Sequence, residues 1–393
     1  MRSWIRRPAV PLVLGALVVL PAAAQPTAAQ PVENSDAAAA ATAAAAAKTT
    51  REQAPLERVL ALEPEDILKM TPEMEVFLAE RIRGGQIRAT RLRNLQDAIF
   101  NPNGLGVTYG NTRTKTAEET FHEASGNCLS FTMMFVTLAR HLGLDAYFVE
   151  VDEVTSWSNA ADVDINAWHM FAEVGIDNGF VPVDFLPGLD KRYRRKKRIT
   201  DTRVAAHYFN NLGVEALTGG DLERARRLLH RALELDRKFL PALVNLGVAE
   251  KRAGRIEGAE QAFRRALDVE RANLQAIRNL ASLYTSTGRT EDAAPLLDRV
   301  ERYLDRNPFH HFRLSRRAAA AGRHAEAVEH LEMAIRRQSD VSRFHEALSE
   351  AHYALGDYRQ AIKALDRATR LTEDEQRRAV LDYRRQIWRD EAP

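Results

Sequence analysis

Between residues 51 and 100 the apolar positions return with roughly helical spacing, at Val76, Phe77 and Ile82 and then at Leu92, Leu95 and Ile99. Such a stripe is what a helix lays against a core. Thr71-Pro72 reads as an N-cap followed by proline at the first helical position, and Gly84-Gly85 separates two helices. NPNGLGVTYGNTRT (101–114) is rich in turn formers and has no period, so it reads as a loop. TAEETFHEA predicts a short helix, and GNCLSFTMMFVTLARHLGL a long, mostly apolar one that opens near Cys128 and covers 129–142. AYFVEV (146–151), WHMFAEV (168–174) and FVPVDF (180–185) read as strands. The last two are joined by GIDNG, where Asp177-Asn178-Gly179 are strong turn formers. Residues 101–190 are therefore predicted to be an α+β unit, a central helix on an antiparallel sheet, with 51–100 as its helical N-terminal part.

From residue 206 the pattern repeats every 34 residues. Gly220, Gly254, Gly288, Gly322 and Gly356 form one series, and Ala225, Ala259, Ala293, Ala327 and Ala361 a second. Leu212, Leu246, Leu280, Leu314 and Leu348 form a third. Leu229, Phe263, Leu297, Leu331 and Leu365, and then Ala232, Ala266, Val300, Ala334 and Ala368, complete the set. The glycine would end one helix, the alanine would let the next approach closely, and the large residues would fill the space between. This is the period of the tetratricopeptide (TPR) helix pair. Five repeats are predicted at 206–239, 240–273, 274–307, 308–341 and 342–375, with the polar, Arg-rich 376–393 as a C-terminal capping helix.

The first 24 residues read as a signal peptide: basic Arg2, Arg6 and Arg7, an apolar run at 9–20, and Ala22 and Ala24 at an A-x-A cleavage site. The apolar run is shorter than the roughly 20 residues that cross a bilayer, so cleavage is expected over tethering. The protein is expected to be exported to the bacterial periplasm. Residues 25–50 are low-complexity and alanine-rich and read as a linker. The net charge of +2 becomes −1 once the three leader arginines are removed, which gives no reason to invoke nucleic acid.

Cys128 is the chain's single cysteine, so no internal disulfide can form in an oxidising compartment. A lone thiol is commonly a small buried hydrophobe. Its place at a helix start argues for chemistry. A thiol attacks only as the thiolate, and a helix N-terminus favours an anion there. Exposed backbone N–H groups at that end could also stabilise an oxyanion. A thiolate needs a base, and the base an orienting group. A hairpin turning at 175–179 is centred near 177, so paired residue numbers add to about 354; His169 and Asp184 add to 353 and should lie almost opposite one another.

These residues resemble the transglutaminase-like fold, a circularly rearranged relative of papain. The matching stretches are TAEETFHEASGNCLSFTMMFVTLARHLGLDAYFVEV, AWHMFAEV and VPVDF, spanning 116–185. The resemblance implies Cys128 as nucleophile, His169 as base and acid, and Asp184 as orienter. Animal transglutaminases carry Trp after the cysteine; Leu129 stands here, which argues against protein cross-linking. Hydrolysis and acyl transfer share an acyl-enzyme and stay open between them. The acidic segment 152–167, with Trp157, could gate substrate or be a solvated loop.

KRYRRKKR (191–198) reads as a basic connector, 191–205, between the modules. Membrane contact is expected only there or through an uncleaved leader. Asn211, Asn245 and Asn279 occupy one repeat position and form a candidate ladder for a peptide backbone, with Arg278, Arg313 and Arg316 adding charge selectivity. The sequence has no CxxC, HExxH or phosphate loop, so no metal or cofactor is expected. Two functions follow: an exported cysteine enzyme acting on amide or peptide bonds whose repeats bind a protein partner, or a catalytically inactive scaffold binding through those repeats.

Overall fold

The computed structural model describes residues 55–391 apart from 86, 111–112, 152–168, 178 and 185–195. The expected leader, the linker at 25–50, the segment 152–167 and the first part of the basic run lie outside the described residues. The chain forms two compact units divided between Thr287 and Gly288.

The first unit opens with four helices, α1 Leu56–Leu60, α2 Pro64–Ile67, α3 Pro72–Arg81 and α4 Arg88–Phe100. Thr71 caps α3 by accepting the Met74 N–H, with Pro72 at its first position. Two-residue strands β1 (Thr108–Tyr109) and β2 (Ser125–Gly126) pair in parallel and flank α5 (Ala117–Glu123). Thr116 and Glu119 close a reciprocal capping box at the start of α5. The central helix is α6, Cys128–His141. It is apolar on all sides because it is covered on all sides: Phe131, Met133, Met134, Phe135, Val136 and Leu138 have no exposed surface.

A four-stranded antiparallel sheet packs on α6 in the order β5-β4-β3-β6, from β3 (Ala146–Val151), β4 (His169–Ile176), β5 (Gly179–Val183) and β6 (Lys196–Ile199). Phe148, Ala172, Val174 and Val183 join the core shared with α6. Alternate residues Val149, Val151 and Phe171 cluster separately, as the two faces of a pleated sheet require.

Two expectations differ from the structure here. The predicted loop at 101–114 contains β1, too short to leave a periodic signal. The predicted connector at 191–205 is also corrected: Lys196–Ile199 is an edge strand paired with β3, and the first repeat helix already starts at Asp201. Charge is what an edge strand carries to resist further pairing, so its basic residues hid a strand. Arg198 lies over the Tyr147 and Phe180 rings at 4.4 and 3.9 Å and bonds Glu173 at 2.9 Å.

The repeat helices of this unit are α7 (Asp201–Thr218), α8 (Leu222–Leu235), α9 (Leu240–Arg252), α10 (Ile256–Val269) and α11 (Leu274–Ser286). They do not hang from a tether. Val204, Ala205, Ala206, Tyr208 and Phe209 of α7 belong to the same apolar cluster as α6 and the sheet. Arg140 of α6 forms a two-pronged pair with Asp201 at 2.7 and 3.0 Å. Glu150 of β3, 3% exposed, accepts from Arg203 and His207 of α7. Burial alone would raise its carboxyl; the bonds from His207 and Arg203 hold it down at about 2.

Within each helix pair the repeat series have a visible cause. Gly220 and Gly254 take φ of 83° and 73°, the left-handed conformation that ends a helix at low cost only for glycine. Ala225 and Ala259 have no exposed surface. Gly213 and Gly247 let the helices of a pair close up: a Cβ at Gly247 would meet the Phe263 ring at 2.3 Å. Asn245 is buried, and its amide donates to Asn210 Oδ1 at 2.9 Å, an internal bond between successive repeats.

The second unit contains α12 (Thr290–Arg306), α13 (Pro308–Ala320), α14 (His324–Arg337), α15 (Ser342–Ala354), α16 (Tyr358–Leu371) and α17 (Glu375–Glu391). Gly322 and Gly356 repeat the left-handed helix ends. α17 covers the last pair: Leu381 and Trp388 join Ala361, Leu365 and Ala368 in one cluster, and Trp388 stacks on Tyr353 at 4.3 Å.

Two measurements check this packing. Gly247→Ala forces the Phe263 ring aside and should cost about 1–3 kcal/mol, the usual range for an overpacked core. The expected outcome is a lower thermal midpoint by circular dichroism, partly recovered when Phe263→Leu is added. Glu215 of α7 is pushed up to about 7 by burial, against 4.5 as its ordinary value. A folded-state pKa above the unfolded one means the folded chain binds more protons between those values. Stability should therefore fall as pH rises from 4.5 to about 7. Glu215→Gln should not show this loss, so its thermal midpoint should exceed that of the wild type progressively across the same window.

Candidate active site

The first turn of α6 sets the position of Cys128. Asn127 is the N-cap: its Oδ1 accepts the Ser130 N–H at 2.9 Å. A helix start leaves its first N–H groups without an intrahelical acceptor. Those of Cys128 and Leu129 are the groups concerned, and they lie beside the sulfur. Thr132, one turn further on, donates to Cys128 O at 2.7 Å and approaches Met170 O at 3.3 Å. That contact lays the start of α6 against the start of β4, where His169 is the first residue.

The β4–β5 hairpin brings His169 and Asp184 together, in a register one unit from the expected sum. Paired residues such as Ala172↔Val183 and Ile176↔Gly179 add to 355. Continued by one step, that register sets Asp184 beside Phe171, diagonal to His169 and on the same face. His169 Nε2 lies 2.6 Å from Asp184 Oδ2, with the two side chains 2% and 4% exposed. The ring also stands near enough to Cys128 for the thiol to act on it electrostatically. With Nε2 directed at Asp184, the buried Nδ1 is the nitrogen that remains for the sulfur. The three side chains predicted from sequence thus meet, with the imidazole between the thiol and the carboxylate.

Burial would push the His169 imidazole down. Its hydrogen bond to Asp184 and the electrostatic influence of Cys128 and Asp184 overcome that and carry it up to about 10. Both partners therefore favour the protonated form of the ring. Tyr109 of β1 stands close enough for the Cys128 charge to act on it; burial first, then that charge, pushes its hydroxyl up to about 12. Sequence reasoning missed Tyr109 because nothing marked β1.

It also missed the segment that grips the helix start. Thr114 Oγ1 accepts from Asn127 Nδ2 at 3.0 Å, and the Lys115 N–H donates to Ser130 Oγ at 2.8 Å. An Asn directly before the cysteine was the available signal, since asparagine is among the preferred N-caps. Its partner at Thr114 lies 13 residues away and carries no mark of its own.

The candidate peptide ladder departs from expectation. Asn245 is 2% exposed and bonded to Asn210, so its amide is committed inside the repeats. Asn211 and Asn279 are half-buried and Arg278 is exposed. Position 245 lies on the helix face turned to the preceding repeat, where Asn210 receives its amide, whereas Gly247, two residues on, lies on the face against Phe263. In the second unit Arg313 is half-buried, and Arg316 is exposed and 3.7 Å from Glu350. Among the described residues, no three or more His, Cys, Asp or Glu are grouped to hold a metal, and no helix is long and apolar enough to cross a membrane.

Comparison with known proteins finds two kinds of domain in the chain. Residues 77–185 match the family model of the transglutaminase-like superfamily. Tetratricopeptide repeat models match 210–273, 251–308 and 312–376. No curated protein matches the chain. Solved structures similar to part of it include TTC0263, a thermophilic TPR protein in Thermus thermophilus, at 20% identity over 47% of this chain and 98% of that one, TM-score 0.25. MamA from Desulfovibrio magneticus RS-1 is 17% identical over 42% of this chain and 94% of that one, TM-score 0.25. YrrB, described as a TPR protein with an unusual peptide-binding site, is 19% identical over 44% and 88%, TM-score 0.25. The chain carries a transglutaminase-like domain followed by a helical solenoid of tetratricopeptide repeats.

Proposed function

We propose that this chain is an exported cysteine enzyme that cleaves or transfers at an amide or peptide bond, with its repeats holding a protein partner or substrate. The observation that carries the catalytic reading is buried His169, its Nε2 2.6 Å from Asp184 Oδ2 and its imidazole pushed up by Asp184 and Cys128.

The steps follow from that arrangement. Cys128 Sγ, as the thiolate, attacks the carbonyl carbon, and the carbonyl π electrons move to oxygen. The first-turn N–H groups of α6 receive the oxyanion. His169 gives its proton to the departing amine, while Asp184 holds Nε2 and so keeps Nδ1 toward the sulfur. The thioester then yields to water, giving an acid, or to an amine, giving a new amide. His169 takes the attacking group's proton in either case. The exported location rests on the leader at 1–24, and the partner role on the repeats.

Cys128 should react with iodoacetamide well below pH 8, and His169→Ala should slow that reaction at pH 7 by at least about tenfold. Because Cys128 is the chain's single cysteine, total alkylation reports this site alone. A folded protein whose sulfur stays inert at pH 7 would favour the scaffold reading instead. Proton donation has its own signature. Acylation by an acyl-directed probe should fall on the alkaline side near pH 10, where the imidazolium loses its proton. Asp184→Asn should move that limb to lower pH, read as the pH profile of single-turnover labelling.

A further inference from the structure

The residues that hold the start of α6 are themselves held from outside the transglutaminase-like domain. Asn127, immediately before Cys128, bonds Thr114 Oγ1, and Ser130, two residues after it, bonds the Lys115 N–H. Thr114 and Lys115 thus grip the helix start on both sides of the sulfur. Both are buried, at 1% and 4% exposure. The far side of this clamp meets Glu215, on the first repeat helix α7: the Thr114 N–H donates to Glu215 Oε1 at 2.8 Å across 101 residues of sequence.

We propose that Glu215 is a positioning residue for Cys128, so that the first tetratricopeptide helix completes the catalytic module and is more than a partner-binding appendage. The inference rests on the reading of Cys128 as the nucleophile. The chain of bonds runs from the Glu215 carboxyl to the Thr114 backbone, from the Thr114 hydroxyl to the Asn127 amide, and from the Asn127 carbonyl to the first turn of α6. Each link fixes one atom of the next. Without an acceptor at 215 the Thr114 N–H must find another, and the hydroxyl that orients Asn127 moves with it. A cap displaced by a fraction of an ångström turns the first-turn N–H groups away from the site, where geometry governs both thiolate stabilisation and oxyanion binding.

The surroundings suit this role. α7 is locked to the domain independently, by Arg140 with Asp201 and by Glu150 with Arg203 and His207. Glu215 is therefore not needed to dock the helix. Thr114 and Glu215 also line a cavity of about 370 Å³, together with Tyr208, Leu212 and Ala216. That space lets a leucine replace the glutamate without a clash.

The test uses the full chain with Glu215→Leu, Glu215→Gln, Thr114→Val and, as reference, His169→Ala. Iodoacetamide alkylation of Cys128 is followed from pH 5 to 10, with circular dichroism to check folding. Glu215→Leu removes the acceptor, Glu215→Gln keeps one, and Thr114→Val cuts the next link while keeping its own N–H. Glu215→Leu and Thr114→Val should each slow alkylation at pH 7 by about tenfold and shift the profile to higher pH, whereas Glu215→Gln should stay within about twofold of wild type. If Glu215→Leu loses its fold, Thr114→Val against Glu215→Gln decides. Wild-type profiles for Glu215→Leu and Thr114→Val, with His169→Ala still slow, overturn the positioning role and leave the enzyme reading intact. Equal slowing by Glu215→Leu and Glu215→Gln also overturns it, since the acceptor alone would not then matter. An inert wild-type Cys128, unchanged by His169→Ala, overturns both.

Discussion

The start of one helix constrains everything else in this protein. Asn127 follows β2 and caps α6, so a single residue decides where the sheet-like approach stops and where the helix begins. Cys128 follows at once, at the position where backbone N–H groups point outward. Residues 129–139 of α6 are buried, and the helix cannot slide without exposing Phe131 or Phe135. A fully buried helix with a fixed cap leaves the sulfur essentially no freedom along the helix axis. In the proposed chemistry that rigidity matters, because a thiolate and an imidazole separated by an extra ångström exchange protons poorly.

The second constraint is the parity of the β4–β5 register. Side chains alternate faces along a strand, so a shift of one residue would put Asp184 on the side opposite His169. Direct opposition of His169 and Asp184 needs a sum of 353; the observed 355 is two units away and makes the pair a diagonal, whereas 354 would have set Asp184 against Met170 on the other face. Residues two apart share a face, so the diagonal still delivers a 2.6 Å contact. Short turn signals locate a hairpin to within a residue, while parity needs the exact pairing. The presence of an acid near His169 was legible in the residues; its precise seat depended on where the pairing closes, at Ile176 and Gly179.

The repeats were the most legible part, because glycine at a left-handed helix end and alanine at a close approach are local demands that recur with the period. What the period concealed is where they begin. A basic run looks like a solvated tether, and charge alone cannot distinguish a tether from an edge strand. Lys196–Ile199 is the strand, and the chain turns directly from it into α7. The same blindness hid the inward turn of Asn245. Its consensus position suggested a peptide contact, but the side chain faces the preceding repeat and is spent on Asn210.

These corrections bear on one another. If the modules were joined by a free connector, the transglutaminase-like domain would have to bury its own helix start unaided. Instead β6 and α7 continue the core, and one apolar cluster runs from α1 into the repeats as far as Ala276. Burying Glu150 and Glu215 at this junction is costly unless each is matched, and the two are matched differently. Glu150 is held at about 2 by its bonds from His207 and Arg203, whereas Glu215 meets a backbone N–H and has its carboxyl pushed up to about 7. The first pair fastens α7 to the sheet with charge; the second touches the segment that grips the helix start through a neutral bond. Holding a helix and orienting a cap are separate tasks, and the junction assigns them to separate carboxylates.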